Sequence, residues 1–158
     1  MALTAEQRIE RCHIELMKHP QFVAYSGILM IGGCKVVDNI PTACTNGRDV
    51  KYGRKFVESL NDADLRGVII HEAKHKMYRH LATWKHLWKQ NANKCNRACD
   101  YVINLEIMDE AKNAQKDFIS LPKDALLDEK YRGLNTAEVF NLLPPQPQGG
   151  GGGQGGDG

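Results

Sequence analysis

Near the start of the chain, apolar positions recur at helical intervals: Ile9, Cys12 and Leu16 fall three and four residues apart, on one face of a helix. Thr4 precedes this stripe with Gln7 three residues on, the spacing of a capping box, and Pro20 stops it. Residues 22–31 are rich in β-formers and end at Gly32-Gly33, which predicts a strand. Residues 35–38 predict a short second strand. Residues 40–45 and 49–52 flank Asn46-Gly47, a dipeptide that favours the left-handed conformations of a two-residue hairpin turn. A small sheet is therefore expected ahead of a central helix. That helix is predicted to start with Asn61 as N-cap, and Asp62 and Asp64 in its first turn suit the helix dipole. It continues through Leu65, Val68 and Ile69 to about His80 or Trp84.

A polar break over residues 90–94 separates this helix from a second long one, about residues 96–111, with Ala98, Cys99, Val102, Ile103 and Ile107 as its apolar positions. The remainder reads as an irregular wrap and a short last helix that Asn135 and Glu138 can cap. From Pro144 the chain reads PPQPQGGGGGQGGDG, low complexity with nothing to bury. The expected organisation is one domain over residues 1–143 and a Pro/Gly-rich disordered linker or tail over 144–158. The expected fold class is α+β, a small, mostly antiparallel sheet packed on the central helix and the second helix.

Composition narrows the picture by exclusion. Lys plus Arg number 21 and Asp plus Glu 19, so the balance of charge selects no class of partner. The five cysteines contain no C-x-x-C pair, the N-terminus lacks the apolar segment of a signal peptide, and no apolar run approaches a membrane span. These features predict a cytoplasmic protein with free thiols and no membrane association. Cys95 and Cys99, one helical turn apart, lack neighbouring histidines and read as core packing rather than a metal site. Lys85, His86, Trp88, Lys89, Lys94 and Arg97 mix cations with tryptophan as single-strand nucleic-acid binders do. With net charge near zero they read as a solvated face, and nucleic acid is not an expected partner.

The candidate chemistry lies in the central helix. Directly after Val68-Ile69-Ile70 the chain reads His71-Glu72-Ala73-Lys74-His75, an H-E-x-x-H motif. Residues four apart on a helix share a face, so the two imidazoles can converge on one zinc ion, and Glu72 can reach a water held there. Tetrahedral zinc with a water still lacks one protein ligand. His80 lies nine residues after His71, on the opposite face of a continuous helix, and reads with His86 as a surface or capping residue. Asp100 is the better candidate, because an unpaired carboxylate between Cys99 and Tyr101-Val102-Ile103 is expensive to bury. Asn104, one turn on, can orient it. The rival reading of Asp100 is a helix-face salt bridge to Arg97, and Glu106 is the runner-up ligand.

At this point the chain resembles the metallopeptidase domain family, a minimal zincin, often found ahead of a von Willebrand A-like domain in bacterial and phage proteins. The resemblance rests on TACTNGRDVKYGRKFVESL, LRGVIIHEAKHKMYRH, NRACDYVINLEI and LPKDALLDEKYRGLNTAEVFNLL, which together cover about residues 36–143. It implies Zn2+ at His71 and His75, Glu72 as catalytic base, an acidic ligand position at Asp100, and a peptide or protein substrate. It also implies a von Willebrand A-like or ATPase partner, reached through a Gly-rich linker. The chain stops inside such a linker, as a fragment or a stand-alone version, and carries no D-x-S-x-S motif of the second domain. The expected reaction is peptide-bond hydrolysis, with the edge strand at residues 40–45 pairing with an extended substrate. Tyr78, Tyr101 and Tyr131 qualify as oxyanion donors by chemistry alone, and each reads rather as packing than as a donor. The alternative is a non-catalytic, zinc-stabilised adaptor, in which the fourth metal position is closed rather than open.

Overall fold

Helix α1 (Ala5–Lys18) begins where Thr4 and Gln7 exchange hydrogen bonds of 3.0 and 3.1 Å, and its stripe of Ile9, Cys12 and Leu16 is buried. In this computed structural model, which describes residues 1–144, the next segment departs from expectation. Residues 22–31 form no strand: a 3₁₀ turn at Val23–Tyr25 runs into the short helix α2 (Ser26–Leu29). The inward positions explain why. Phe22 and Leu29 are buried and Tyr25 and Ile28 half-buried, while Val23, Met30 and Ile31 face solvent. Burial recurs every three or four residues, the helical interval, and not every second one.

The sheet consists of β1 (Cys34–Val37), β2 (Ala43–Thr45) and β3 (Val50–Gly53) in the order β1-β3-β2. The β2–β3 pair is antiparallel and the β1–β3 pair parallel, so β2 lies at an edge. The expected hairpin is present, with its turn one residue later. Asn46 N–H donates to the Asp49 carbonyl at 3.2 Å, and the positive φ of 94° falls on Gly47 between them. Asn46 holds the turn with its side chain, whose Oδ1 accepts from the Arg48 and Asp49 amides at 2.9 and 2.7 Å.

After α3 (Arg54–Ser59), α4 (Asp62–Met77) forms the centre of the molecule, packed against α1, α2, β2 and α7 (Ala92–Asn113). Asn61 caps it, accepting from the Asp64 amide at 2.8 Å. Residues 65–70 and 72–76 are all buried, so α4 has no solvent face and every polar residue among them needs an internal partner. The helix does not run on to His80 or Trp84. It ends at Met77, and Arg79 adopts a left-handed conformation (φ 52°, ψ 45°) before the short helices α5 (His80–Thr83) and α6 (Lys85–Gln90). A left-handed residue just past a helix is a common stop, normally marked by glycine; here arginine takes the position.

Asn91 caps α7, which starts earlier than the apolar pattern indicates. Asn135 and Glu138 form the expected capping box at the start of α8 (Thr136–Leu142). Between α7 and α8 the chain wraps irregularly back over α4. Ser120 N–H donates to the Ala63 carbonyl at 3.2 Å, and a Cβ on Gly67 would stand 1.8 Å from the Ser120 oxygen. The wrap can lie this close only because residue 67 has no side chain.

One hydrophobic cluster joins α1, the sheet, α4 and a face of α7 around Leu16, Ile69 and Ile103; a second lies around Leu87, Cys99 and Phe140, between α6, α7 and α8. None of the five cysteines forms a disulfide, and Cys95 and Cys99 are fully buried in the second cluster as packing residues. The architecture is α+β, dominated by helices around a three-stranded sheet. Among the described residues no helix is long and apolar enough to cross a membrane. Of the expected tail, residues 145–158 lie outside the described residues.

Candidate metal centre

His71 and His75 lie one turn apart on α4, and Asp100 meets them from α7. His71 Nε2 is 3.1 Å from Asp100 Oδ1, His75 Nε2 is 3.0 Å from the same oxygen, and the two nitrogens are 3.1 Å apart. The three atoms form a nearly equilateral triangle. Tetrahedral donors bound 2.0–2.1 Å from zinc stand roughly 3.3 Å from one another, so the triangle needs only slight opening to accept an ion. Among the described residues, this is the group of His, Cys, Asp or Glu side chains placed to hold a metal ion.

The outer nitrogens of both imidazoles are engaged. Asn104 Nδ2 donates to the Leu126 carbonyl at 2.8 Å, which turns Oδ1 toward His71 Nδ1, also at 2.8 Å. An amide oxygen only accepts, so His71 carries a proton on Nδ1, and whenever the ring is neutral its lone pair lies on Nε2, facing the triangle. Asn104 thus orients His71, not Asp100 as its spacing suggested. His75 Nδ1 lies 3.0 Å from Nδ1 of His80. With His80 accepting, His75 also presents a lone pair at Nε2. His80 is not a surface residue: it is 4% exposed, because the break at Arg79 folds it back behind His75. His86 is exposed, as its position suggested.

Electrostatics tie the group together. Burial disfavours a charged His71, but the adjoining Asp100 carboxylate outweighs it and raises the pKa to about 9. Burial likewise pushes Asp100 up, and the two imidazoles overcome this and bring it down to about 2. Without a cation, bound protons must hold these atoms together, so protons and a metal compete for the same lone pairs. Glu72 is 4% exposed, and burial is the main cause of its raised pKa. Its Oε2 is buried with no hydrogen-bond partner among the described residues. An orphaned carboxylate oxygen beside a two-histidine, one-carboxylate donor set is what a divalent cation and its water would complete. The residues present therefore fit a metal.

Glu106 stands elsewhere. Its Oε2 accepts from Lys74 Nζ at 3.0 Å and from the Tyr78 hydroxyl at 2.7 Å. Lys74 also donates to Tyr25 Oη at 2.9 Å and pairs with Glu110 Oε1 at 2.7 Å. Sequence reasoning missed this cluster, although Glu106 and Glu110, one turn apart on a predicted helix, were its signal. Asp100 forms no salt bridge to Arg97; its partners are the two histidines. Tyr101 packs on Tyr131 with ring centroids 4.8 Å apart. In the cationic stretch Trp88 is half-buried and donates to the His80 carbonyl at 3.3 Å, so its ring serves the fold.

Beside the triangle lies a cavity of about 230 Å³. His71, Asp100 and Asn104 form one end of it, Ala43 of edge strand β2 borders it, and its other walls are largely apolar.

A family model described as "Putative metallopeptidase domain" matches residues 5–158 of the chain. No curated protein and no solved structure matches it.

Proposed function

The chain belongs to this Putative metallopeptidase domain family, and from that premise we propose that it is a zinc-dependent peptidase in which His71, His75 and Asp100 hold the metal and Glu72 is the general base. Membership implies a metal ion, and the three side chains are the cluster able to bind one. The observation that carries the reading is that the donor triangle borders a cavity, with His71 and Asp100 in its wall. Catalytic zinc sites keep a position open toward substrate, whereas structural sites fill all four with protein.

When bound, zinc supplies Lewis acidity toward a water molecule and toward the scissile carbonyl. The chain's own residues do the rest. Asn104 and His80 hold the two imidazoles with their lone pairs inward. Glu72, next to His71 and with an oxygen free of partners, takes the proton of the attacking water and delivers it to the leaving amine. β2 lies at the edge of the sheet and borders the cavity at Ala43, so an extended peptide laid along it would have its scissile bond beside the triangle.

The test separates base from ligand. Glu72→Gln should keep its metal and its fold and lose about 10²- to 10⁴-fold in the cleavage of extended peptides. Loss of metal in this variant, or cleavage equal to wild type, contradicts the assignment. A metal-loaded crystal structure with a fourth protein side chain on the ion would make the domain a zinc-stabilised adaptor instead.

A further inference from the structure

The cavity beside the triangle has a composition that selects among substrates. We infer that it seats an apolar substrate side chain of leucine to phenylalanine size, next to the bond that is cut; this rests on the peptidase reading above. Phe56 from α3, Val68 from α4, and Leu121 and Leu126 from the wrap supply its walls. No lysine or arginine lines it. A substrate side-chain carboxylate would enter beside Asp100 and Asp124 with no cationic side chain to pair with. A substrate ammonium would find Asp100 already held by two imidazoles and Asp124 only at the exposed rim. The polar groups at the metal end are also committed, Asn104 bonding to both His71 and the Leu126 carbonyl. An apolar side chain leaves none of these groups short of a partner.

Size points the same way. An apolar cavity of about 150 Å³ is known to take benzene, and this one measures about 230 Å³. Its walls are fixed in the free protein. Asn104 ties the Leu126 wall to the His71 ring, and the Ser120 amide and Gly67 hold the wrap on α4. Successive side chains of an extended peptide point to opposite faces. A peptide paired along β2 past Ala43 would therefore direct one side chain into the cavity and the next away from it.

The experiment uses the zinc-loaded full chain and a panel of peptide hydroxamates that differ in one side chain: methyl, isobutyl, benzyl, carboxyethyl or aminobutyl. Metal content is measured on the same samples and affinity by calorimetry. Burial of a leucine-sized group should make the isobutyl and benzyl compounds about ten- to a hundredfold tighter than the methyl one, with carboxyethyl weakest. Ala125→Phe, which fills the cavity from the wrap, should abolish this preference while metal content stays at the wild-type level. If that variant does not fold, the wild-type panel decides alone. Equal affinities across the panel, or a preference for a charged side chain, on a metal-loaded protein would overturn the inference and leave the metal centre standing. A chain that takes up no zinc would overturn the peptidase reading, and this inference with it.

Discussion

Lys74 and His75 are neighbours on α4, yet they belong to two buried polar clusters of opposite kinds. Around Lys74, each ammonium proton has an acceptor: Tyr25 Oη, Glu106 Oε2 and Glu110 Oε1. The tyrosines donate in turn, Tyr25 to Glu110 at 2.8 Å and Tyr78 to Glu106 at 2.7 Å. Burial alone would lower the Lys74 pKa, but Glu110 and Tyr25 more than reverse this and raise it. That cluster is complete within the chain. Around His75, three donor atoms point at one another, the outer nitrogens are held so that lone pairs face inward, and Glu72 keeps an oxygen without a partner. Among the described residues, nothing completes this second cluster. A buried charge with all its partners marks structure; a buried group whose partners are missing marks a site.

Separating the two clusters by mutation tests this contrast, and the largest effect belongs to the closed one. Lys74→Met strands Glu106 and Glu110. Breaking a buried pair costs about 3–5 kcal/mol, and the lower end applies because the Glu106 side chain is 36% exposed. Denaturant unfolding should show this loss, while metal bound per folded chain stays the same. Metal loss without loss of stability would mean that the clusters act as one.

Next comes the choice between acids. Asp100→Ala should weaken metal binding by more than the roughly 10- to 100-fold that residues orienting a ligand contribute. Glu106→Ala should leave affinity unchanged and lower stability. Competition with a zinc indicator reads the first effect and chemical unfolding the second; the reverse pattern would restore Glu106 as the third ligand.

The smallest effect belongs to the residue behind His75. His80→Ala should weaken metal binding by about 10- to 100-fold, and His80→Gln, with an amide oxygen able to accept from His75, should recover part of it. Complete loss of metal in His80→Ala, equal to that in His75→Ala, would make His80 a ligand rather than a support.

Features set by neighbouring residues were legible in the sequence. Thr4 with Gln7, Asn61, and Asn135 with Glu138 cap helices through bonds spanning three residues, so their spacing alone announces them. The stripe of Ile9, Cys12 and Leu16 faces inward as its interval requires. The H-E-x-x-H spacing and the cost of burying Asp100 pointed to the three side chains that the fold brings together. What escaped depends on distant contacts or on a residue out of type. Residues 22–31 carry strand-forming side chains, but Phe22, Tyr25 and Leu29 pack at helical spacing. Arg79 is left-handed without being glycine, so nothing local marked the turn that carries His80 inward. From its spacing Asn104 reads as a support for Asp100, but it holds His71 instead, since its orientation depends on the Leu126 carbonyl in a wrap with no regular structure.

The central claim is that α4 and α7 hold a metal ion, and the zinc content of the full chain purified without chelator addresses it most directly. About one zinc per chain in the wild type, and none in His75→Ala prepared in parallel, is the predicted result. A folded wild-type chain that contains no metal and takes up none when zinc is added would contradict it.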